Sequence, residues 1–472
     1  MPRYFVTLIV AVALFMETMD STVIATSLPA IGADLGEDPI ALKLALTSYL
    51  LSLAVFIPVS GWMADRFGAQ TVFRVAIVVF TLGSAACGFA QGLADFVLFR
   101  IVQGMGGAMM VPVGRLVILR SVPKSELISA LAWLTVPALM GPVIGPPLGG
   151  FISTFFSWRW IFWINIPIGL LGIYLATRFI ENFREDEVPP LDVKGFFLSG
   201  VGLAGLAFGF TVIGQPFFPP AFVVGLLTVG AIACTLYVRH ALNTPNPLLD
   251  LRLLKIDTFF ANIFGGFLFR IGVGATPFLL PLFLQLGFGM TALQSGLLTF
   301  ATAVGAIAMK TTAAPIIRRF GYKRILVWNA LLTSVFVAAC ALFTAATPSA
   351  VILTVLLIGG FFRSLQFTAV NSIAYADIGE HDMSKATSFA SVAQQLSMSA
   401  GVAVGAFVLE IERMGRETND VVASDFIPAF LVVAALAASS ALIFMRLPKN
   451  AGSSLSRKAH AVGEPEKQQS VE

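Results

Sequence analysis

The chain has 472 residues, 57% of them hydrophobic and only 12% charged, with a mean hydropathy of +0.87 and a formal net charge of +4. Soluble domains carry roughly 25% charged residues, so this chain cannot cover itself with polar surface and most of it must face lipid. The small, dispersed basic excess excludes nucleic acid as a partner, and three distant cysteines, Cys87, Cys234 and Cys340, form neither a metal-ligand spacing nor a disulfide framework.

Arg3 followed by "YFVTLIVAVALF" imitates a signal peptide. The apolar run continues past a typical h-region and no A-x-A site follows, so it is expected to be an uncleaved first helix. Apolar segments of about 20 residues, the length that crosses a bilayer core of about 30 Å, then recur along the chain. They fall at 5–31, 40–61, 75–91, 96–119, 128–152, 160–178, 193–214, 221–239, 258–286, 292–313, 325–346, 350–375, 386–409 and 425–446. The expected fold is an all-α membrane protein with about fourteen transmembrane helices. Residues 1–182 form a six-helix bundle, 183–256 a charged hinge with two inserted linker helices, 257–446 a second six-helix bundle, and 447–472 a disordered cytoplasmic tail.

About 21 Lys and Arg fall on the N-terminal side of these spans and about 4 on the other, which places both termini in the cytoplasm by the positive-inside rule. Trp158, Trp160 and Trp163 then belong at the outer interface, where amphipathic indoles sit. An internal repeat supports two halves. "DRFGAQ" from Asp65 is echoed by "RRFGYKR" from Arg318, and "FRIVQ" from Phe99 by "FRSLQ" from Phe362. Duplicated halves with a site between them at the midplane are a common transporter design.

Ionisable residues well inside a span cost about 2.5–3.5 kcal/mol each on insertion scales. The acidic ones reduce to Glu17 and Asp20 in "FMETMDSTVIATSLPAIG". Their spacing puts both on one face of the first helix, where they form a coupled, proton-titrating pair; the alternative is that they are neutral packing residues. No histidine lies mid-membrane: His240 and His381 are at the inner edge and His460 is in the tail. The embedded cations are Arg100, Arg115, Arg270, Lys310 and Arg363. Arg270, near the midplane, is the expected partner or competitor of Glu17, or else faces an anionic ligand. By helix rise Arg100 lies about 10 Å from the level of Asp20, too far for a direct pair. Arg115 and Lys310 are expected to snorkel. Gln394 and Gln395 line a polar cavity or bond between helices. In "GPVIGPPLGG", prolines interrupt the helix ladder and glycines admit a close neighbour, as the seam of a rocking transporter requires.

Several stretches together resemble the fourteen-helix drug:proton antiporter branch of the major facilitator superfamily. "GWMADRFGAQ" is similar to the superfamily's loop signature, "RIVQGMGGA" to its fourth-helix signature, "GPVIGPPLGG" to the fifth-helix antiporter motif, and "MDSTVIATSLPAI" to the branch's first-helix signature. "SWRWIFWINIPIG", "LDVKGFFL" and "NPLLDLRLL" resemble its signatures around the sixth helix and the inserted pair. The resemblance implies that Asp20 handles protons or cations, and that Arg100 takes part in proton transfer. It also implies that Gly61, Asp65, Arg66 and Gly68 gate conformational change, and that Gly141, Pro142, Gly145, Pro146, Gly149 and Gly150 shape the antiporter helix. Asp65 is expected to cap a helix of the other half, near Ala386. Ala69 and Gln70 stand where the loop signature usually has basic residues, and Glu17 is not a motif position.

The expected function is a multidrug exporter, not an enzyme, working by proton antiport and alternating access in the bacterial inner membrane. Its partners are the bilayer, protons, a small lipophilic substrate and a periplasmic adaptor; no cofactor or metal is implied, and no nucleotide-binding signature is present. One alternative is a proton-coupled transporter of a single metabolite, which a substrate panel separates. The other is a sensor or assembly factor that has lost transport, whose phenotype would survive neutralisation of Asp20.

Overall fold

The structure is a computed structural model that describes residues 4–122, 127–185, 187–213, 215, 218–379, 382–414 and 421–452. The expectation of a disordered tail, and the placements of His381 and His460, fall outside the described residues apart from the tail's first few positions. Among the described residues fourteen long helices follow one another: α1 Val6–Leu35, α2 Lys43–Phe67, α3 Ala69–Cys87, α4 Leu93–Ser121, α5 Leu127–Phe155, α6 Trp160–Phe179 and α7 Val193–Thr211. The others are α8 Pro220–Asn243, α9 Asp257–Gly287, α10 Ala292–Phe320, α11 Tyr322–Leu342, α12 Ser349–Ile373, α13 Met383–Arg413 and α14 Ala423–Phe444. Several outrun the expected spans, α10 by seven residues to Phe320, because a hydropathy window measures lipid thickness and the helix continues into polar sequence beyond it.

Local chemistry explains the irregularities. α1 tightens to a 3-10 turn over Ile24–Ser27, five to two residues ahead of Pro29, whose ring disfavours α geometry at the preceding turn. α9 carries Pro277 and Pro281 and relaxes into π turns at Ala261–Gly265 and Phe283–Gly287. The repeated loop motif has a structural basis: α2 passes to α3, and α10 to α11, through a single glycine with positive φ, Gly68 at 94° and Gly321 at 77°. A one-residue reversal of this kind needs a residue without Cβ.

Helix packing repeats with a shift of eight. α1 packs on α5, α2 on α4, α3 on α4 and α3 on α6; α9 packs on α13, α10 on α12, α11 on α12 and α11 on α14. The seam between the first six and the last six helices is made by α2 against α13 and by α5 against α10. A shift of eight exchanges these two contacts, as a pseudo-two-fold axis requires. α7 and α8 pack on each other, and α7 leans on α2 and α13 alongside the seam.

The seam is fastened at the face opposite the start of α1. Lys43 Nζ meets Glu410 Oε1 at 2.8 Å and Arg413 Nη1 meets Asp38 Oδ2 at 2.6 Å. Gln215 also donates to Glu410. On that side Gly150 lies directly against the Ala292 carbonyl, and Gly296 against the Pro146 carbonyl.

Candidate transport site

α1 is the helix around which the site is built. Asp20 is fully buried, and its carboxylate accepts from Arg100 Nη1 at 2.6 Å, Gln103 Nε2 at 2.8 Å and Asn165 Nδ2 at 3.2 Å. Arg100 Nη1 also donates to Gln103 Oε1 at 2.7 Å, and Asn165 to Ser84 Oγ at 3.0 Å. Four helices, α1, α3, α4 and α6, therefore meet in one closed polar network. The guanidinium of Arg100 lies 4.1 Å from the centre of the Tyr49 ring, and the Tyr49 hydroxyl donates to Glu17 Oε1 at 3.3 Å. Tyr49 thus links the two carboxylates through a cation–π contact on one side and a hydrogen bond on the other.

The direct Asp20–Arg100 pair corrects the expectation that these residues lie at different depths. Arg159 donates to both the Asp34 carboxylate and the Ala90 carbonyl, which sets these two positions level. Counted inward from there, Asp20 and Arg100 differ by about four residues, roughly 6 Å of rise, which an arginine side chain spans. The apolar span of α4 begins at residue 96, six residues past the position level with Asp34, so Arg100 lies deeper than that span places it.

Other expected residues fall elsewhere. Arg270 is buried, donates to Asn371 Oδ1 at 2.7 Å and stacks at 5.8 Å from the Phe367 ring centre; it does not meet Glu17. Asp65 pairs with Arg120 at 3.2 Å within its own half rather than capping α13 near Ala386. Arg120 also holds Glu185 at 2.6 Å, and the Glu185 amide donates to the Asp65 carbonyl, so the charged hinge is strapped to the loop after α2. Gly61 and Arg66 are exposed, and the space beside Gly68 is filled by the Asn182 side chain. Gln70, in a position where a basic residue was expected, donates to the Ile180 carbonyl at 2.6 Å and to those of Ala176 and Thr177. It satisfies the end of α6 as a cation there would. Trp158 is buried and donates to Asp34; Trp160 is exposed.

The antiporter stretch serves two contacts. Gly141, Gly145 and Gly149 close on Thr18, Thr22 and Val23 of α1, while Gly150 closes on α10. Thr22 and Thr26 of α1 donate to the carbonyls of Gly141 and Pro146. α5 remains one continuous helix through Pro142 and Pro146, so these prolines line a wall without breaking it.

That wall bounds a cavity of about 320 Å³ between the two halves, lined by α1 and α5 on one side and by α9, α10, α12 and α13 on the other. Gln394, Gln395 and Arg270 are not among its lining residues; Met398, Phe367, Lys310 and Arg363 are. Lys310 donates to Thr368 Oγ1 at 3.1 Å and faces the cavity rather than the membrane edge. Sequence reasoning missed Tyr49, Gln103 and Asn165, whose signal was a polar side chain inside an apolar span. It also missed the Lys43–Glu410 pair across the seam.

Two helical bundles related by a shift of eight helices, a cavity between them and a buried ionic network beside it define a polytopic α-helical transporter, not an enzyme. The chain belongs to the Major Facilitator Superfamily, whose family model matches residues 10–402 and 262–468. It is 36% identical over 446 residues to the "Putative multidrug resistance protein MdtD" of Yersinia enterocolitica, covering 94% of this chain and 95% of that one. The protein of the same name from Yersinia pestis (strain Pestoides F) is 37% identical over 449 residues, covering 94% and 96%. Among solved structures, a D-xylose-proton symporter superposes with a TM-score of 0.68 at 15% identity, over 95% of this chain and 99% of that one. The inward-open xylose transporter XylE from E. coli does so at 0.64 and 14%, over 98% and 100%. At these identities the structural likeness shows the fold alone.

Proposed function

We propose that the protein is a multidrug exporter of the fourteen-helix branch, a drug:proton antiporter of the bacterial cytoplasmic membrane with both termini in the cytoplasm. The observation that carries this reading is the double face of α1. Glu17 and Asp20 lie in the buried network, whereas Thr22, about 200° around the helix from Asp20, lines the cavity. A change of charge on one side of this helix is thereby transmitted to whatever binds on the other. The name shared by the relatives supports a drug as cargo, and the basic excess on one side of the spans supports the orientation.

The two carboxylates have different tasks in this reading. Asp20 has three side-chain donors including a guanidinium, so protonating it would leave Arg100 without an acid. Glu17 has one neutral donor, Tyr49, and gives up little when it takes a proton. Glu17 exchanges the proton, and the Asp20–Arg100 pair responds to it through Tyr49. With the far face fastened by Lys43–Glu410 and Asp38–Arg413, the cavity loads from the cytoplasmic side as a proton leaves. The halves then rock across α2/α13 and α5/α10, and proton entry from outside displaces the cargo. The Gly61–Gly68 loop, with Asp65 on Arg120, acts as the gate on the cytoplasmic side, and the α5 glycines act as the surface on which α1 slides. A periplasmic adaptor would complete the export path, and cross-linking in intact membranes tests for one.

The test is substrate-induced proton release from proteoliposomes carrying the native chain, Glu17→Gln or Asp20→Asn. Both variants should abolish release. Release undiminished in Glu17→Gln would remove Glu17 as the carrier, and release undiminished in both would remove antiport through α1.

A further inference from the structure

The cavity has charge of one sign only. Of its lining residues Lys310 and Arg363 are ionisable, and no carboxylate is among them. Among the described residues neither cation has an acid within ion-pair distance; Lys310 meets only a threonine hydroxyl. The two are near each other on parallel helices. Ser364 Oγ donates to the Ala306 carbonyl at 2.9 Å, which sets Arg363 level with Ala306. Lys310 then lies about one turn, roughly 6 Å, further along. A third cation, Arg270, stands behind Phe367, one wall residue away, and it too is bonded to an amide rather than to an acid.

The internal repeat shows that this is a specific difference between the halves. Arg363 in "FRSLQ" is the counterpart of Arg100 in "FRIVQ". Arg100 is matched with Asp20, and Gln103 with the same carboxylate. In the second half Gln366 turns to α11, donating to the Leu326 carbonyl at 2.9 Å. α9, the counterpart of α1, has no acid beyond Asp257 at its very end. Among the described residues, then, no acid stands against Arg363 as Asp20 stands against Arg100.

Taking the cavity to be the transport site of the function proposed above, we infer that its cargo is a small organic anion with an apolar body, a carboxylate or sulfonate held by Arg363 and Lys310. Two cationic residues one turn apart along parallel helices, both lining one cavity without an acid, suit an anionic cargo. Pro142, Val143, Val273, Leu280 and Phe367 give the apolar surface for its body. The volume is at the lower end of the roughly 300–1,000 Å³ of ligand pockets, so the cargo is the size of one or two rings. A lipophilic cation would meet two like charges and no counter-charge, and like-charge contact in a low-dielectric cavity is strongly unfavourable.

The experiment is equilibrium binding to the purified full-length protein in nanodiscs, with radiolabelled naphthalene sulfonate as the anion and ethidium as the cation. Naphthalene sulfonate should bind saturably and ethidium should not. Arg363→Gln and Lys310→Gln should each weaken sulfonate binding about tenfold or more, equal to ~1.4 kcal/mol. Arg363→Lys, which keeps the charge, should retain most of it. That variant and elution as a single species separate a lost charge from a lost fold. The double variant Lys310→Glu/Arg363→Glu should lose the sulfonate and gain ethidium. Saturable ethidium binding to the native protein, equal affinity for the two probes, or sulfonate binding unchanged in both Gln variants would overturn the inference. No gradient is involved, so the result is independent of antiport. Sulfonate binding without proton release would sink the exporter reading alone, and ethidium-driven proton release without sulfonate binding would sink this inference alone.

Discussion

Tyr49 occupies the most consequential position in the first half, because it touches both the guanidinium that holds Asp20 and the carboxyl of Glu17. Removing the charge of Asp20 leaves a buried Arg100 unpaired, and breaking one side of a buried pair costs about 3–5 kcal/mol. Asp20→Asn should therefore lower the thermal stability of the protein in detergent by an amount of that order, as well as abolishing coupling. Glu17→Gln preserves the shape and an acceptor for Tyr49, so its stability should stay within about 1 kcal/mol of the native chain while proton release is lost. A differential thermal-unfolding comparison of the two variants checks this; equal destabilisation would mean that Glu17 is as structural as Asp20. At this scale the sequence disclosed the ionisable groups, since charge in an apolar run is conspicuous. It did not disclose the partners of Asp20. Depth along a helix is counted from the ends of apolar windows, and a six-residue difference at the start of α4 is enough to separate Arg100 from Asp20.

Single elements carry the next level of behaviour. Asp192 caps α7: it accepts from the Gly195 amide at 2.9 Å, from His240 at 2.7 Å and from the Leu248 amide at 3.2 Å, tying both linker helices to the segment before α9. Burial acts to raise this carboxyl, but the Gly195 amide, His240 and the Leu248 amide outweigh it and hold it below the ordinary carboxylate range. A carboxyl lowered in the folded state contributes stability that is present above its unfolded value and lost as pH falls through the folded one. Asp192→Ala should cost about 1 kcal/mol, the usual worth of an N-cap, and should flatten the acid limb of the thermal-stability profile. Asp192→Asn should keep most of the cap and still flatten that limb; an unchanged limb would show that another carboxylate governs it. Seam glycines make a second element-level case. A Cβ at Gly296 would overlap the Pro146 carbonyl, so Gly296→Ala should destabilise the state closed at the far face by about 1–3 kcal/mol, the range of overpacking. Labelling of a cysteine placed at Lys43 should become faster in that background. The glycine shared by "DRFGAQ" and "RRFGYKR", read only as part of a repeat, is the trace in sequence of the paired one-glycine reversals, because a positive φ favours glycine. The repeat did not anticipate that Arg100 and Arg363 would have unlike surroundings, which depends on whether the facing helix, α1 or α9, carries an acid.

For the whole molecule the direction of charge movement is decisive. Exporting an anion while protons enter carries positive charge inward on both legs of the cycle, one charge for the anion and one for each proton. An inside-negative potential therefore drives every part of it, at about 2.3 kcal/mol per charge per 100 mV. For one anion exchanged against one proton the two charges give about 4.6 kcal/mol at 100 mV, more than a thousandfold in accumulation ratio. A lipophilic monocation exchanged against one proton moves no net charge, and potential alone would leave its gradient unaltered. Proteoliposomes with a potassium diffusion potential and no pH difference separate these cases. Naphthalene sulfonate should be extruded from the compartment made negative when valinomycin is added, and the extrusion should collapse when potassium is equal on both sides. Reversing Lys43 and Glu410 together, Lys43→Glu/Glu410→Lys, should preserve the effect because the fastening across the seam is kept, whereas Glu410→Lys alone sets two cations against each other there and should slow turnover. Extrusion indifferent to the imposed potential would mean that cargo and protons cross with no net charge, which an anionic cargo cannot do in antiport.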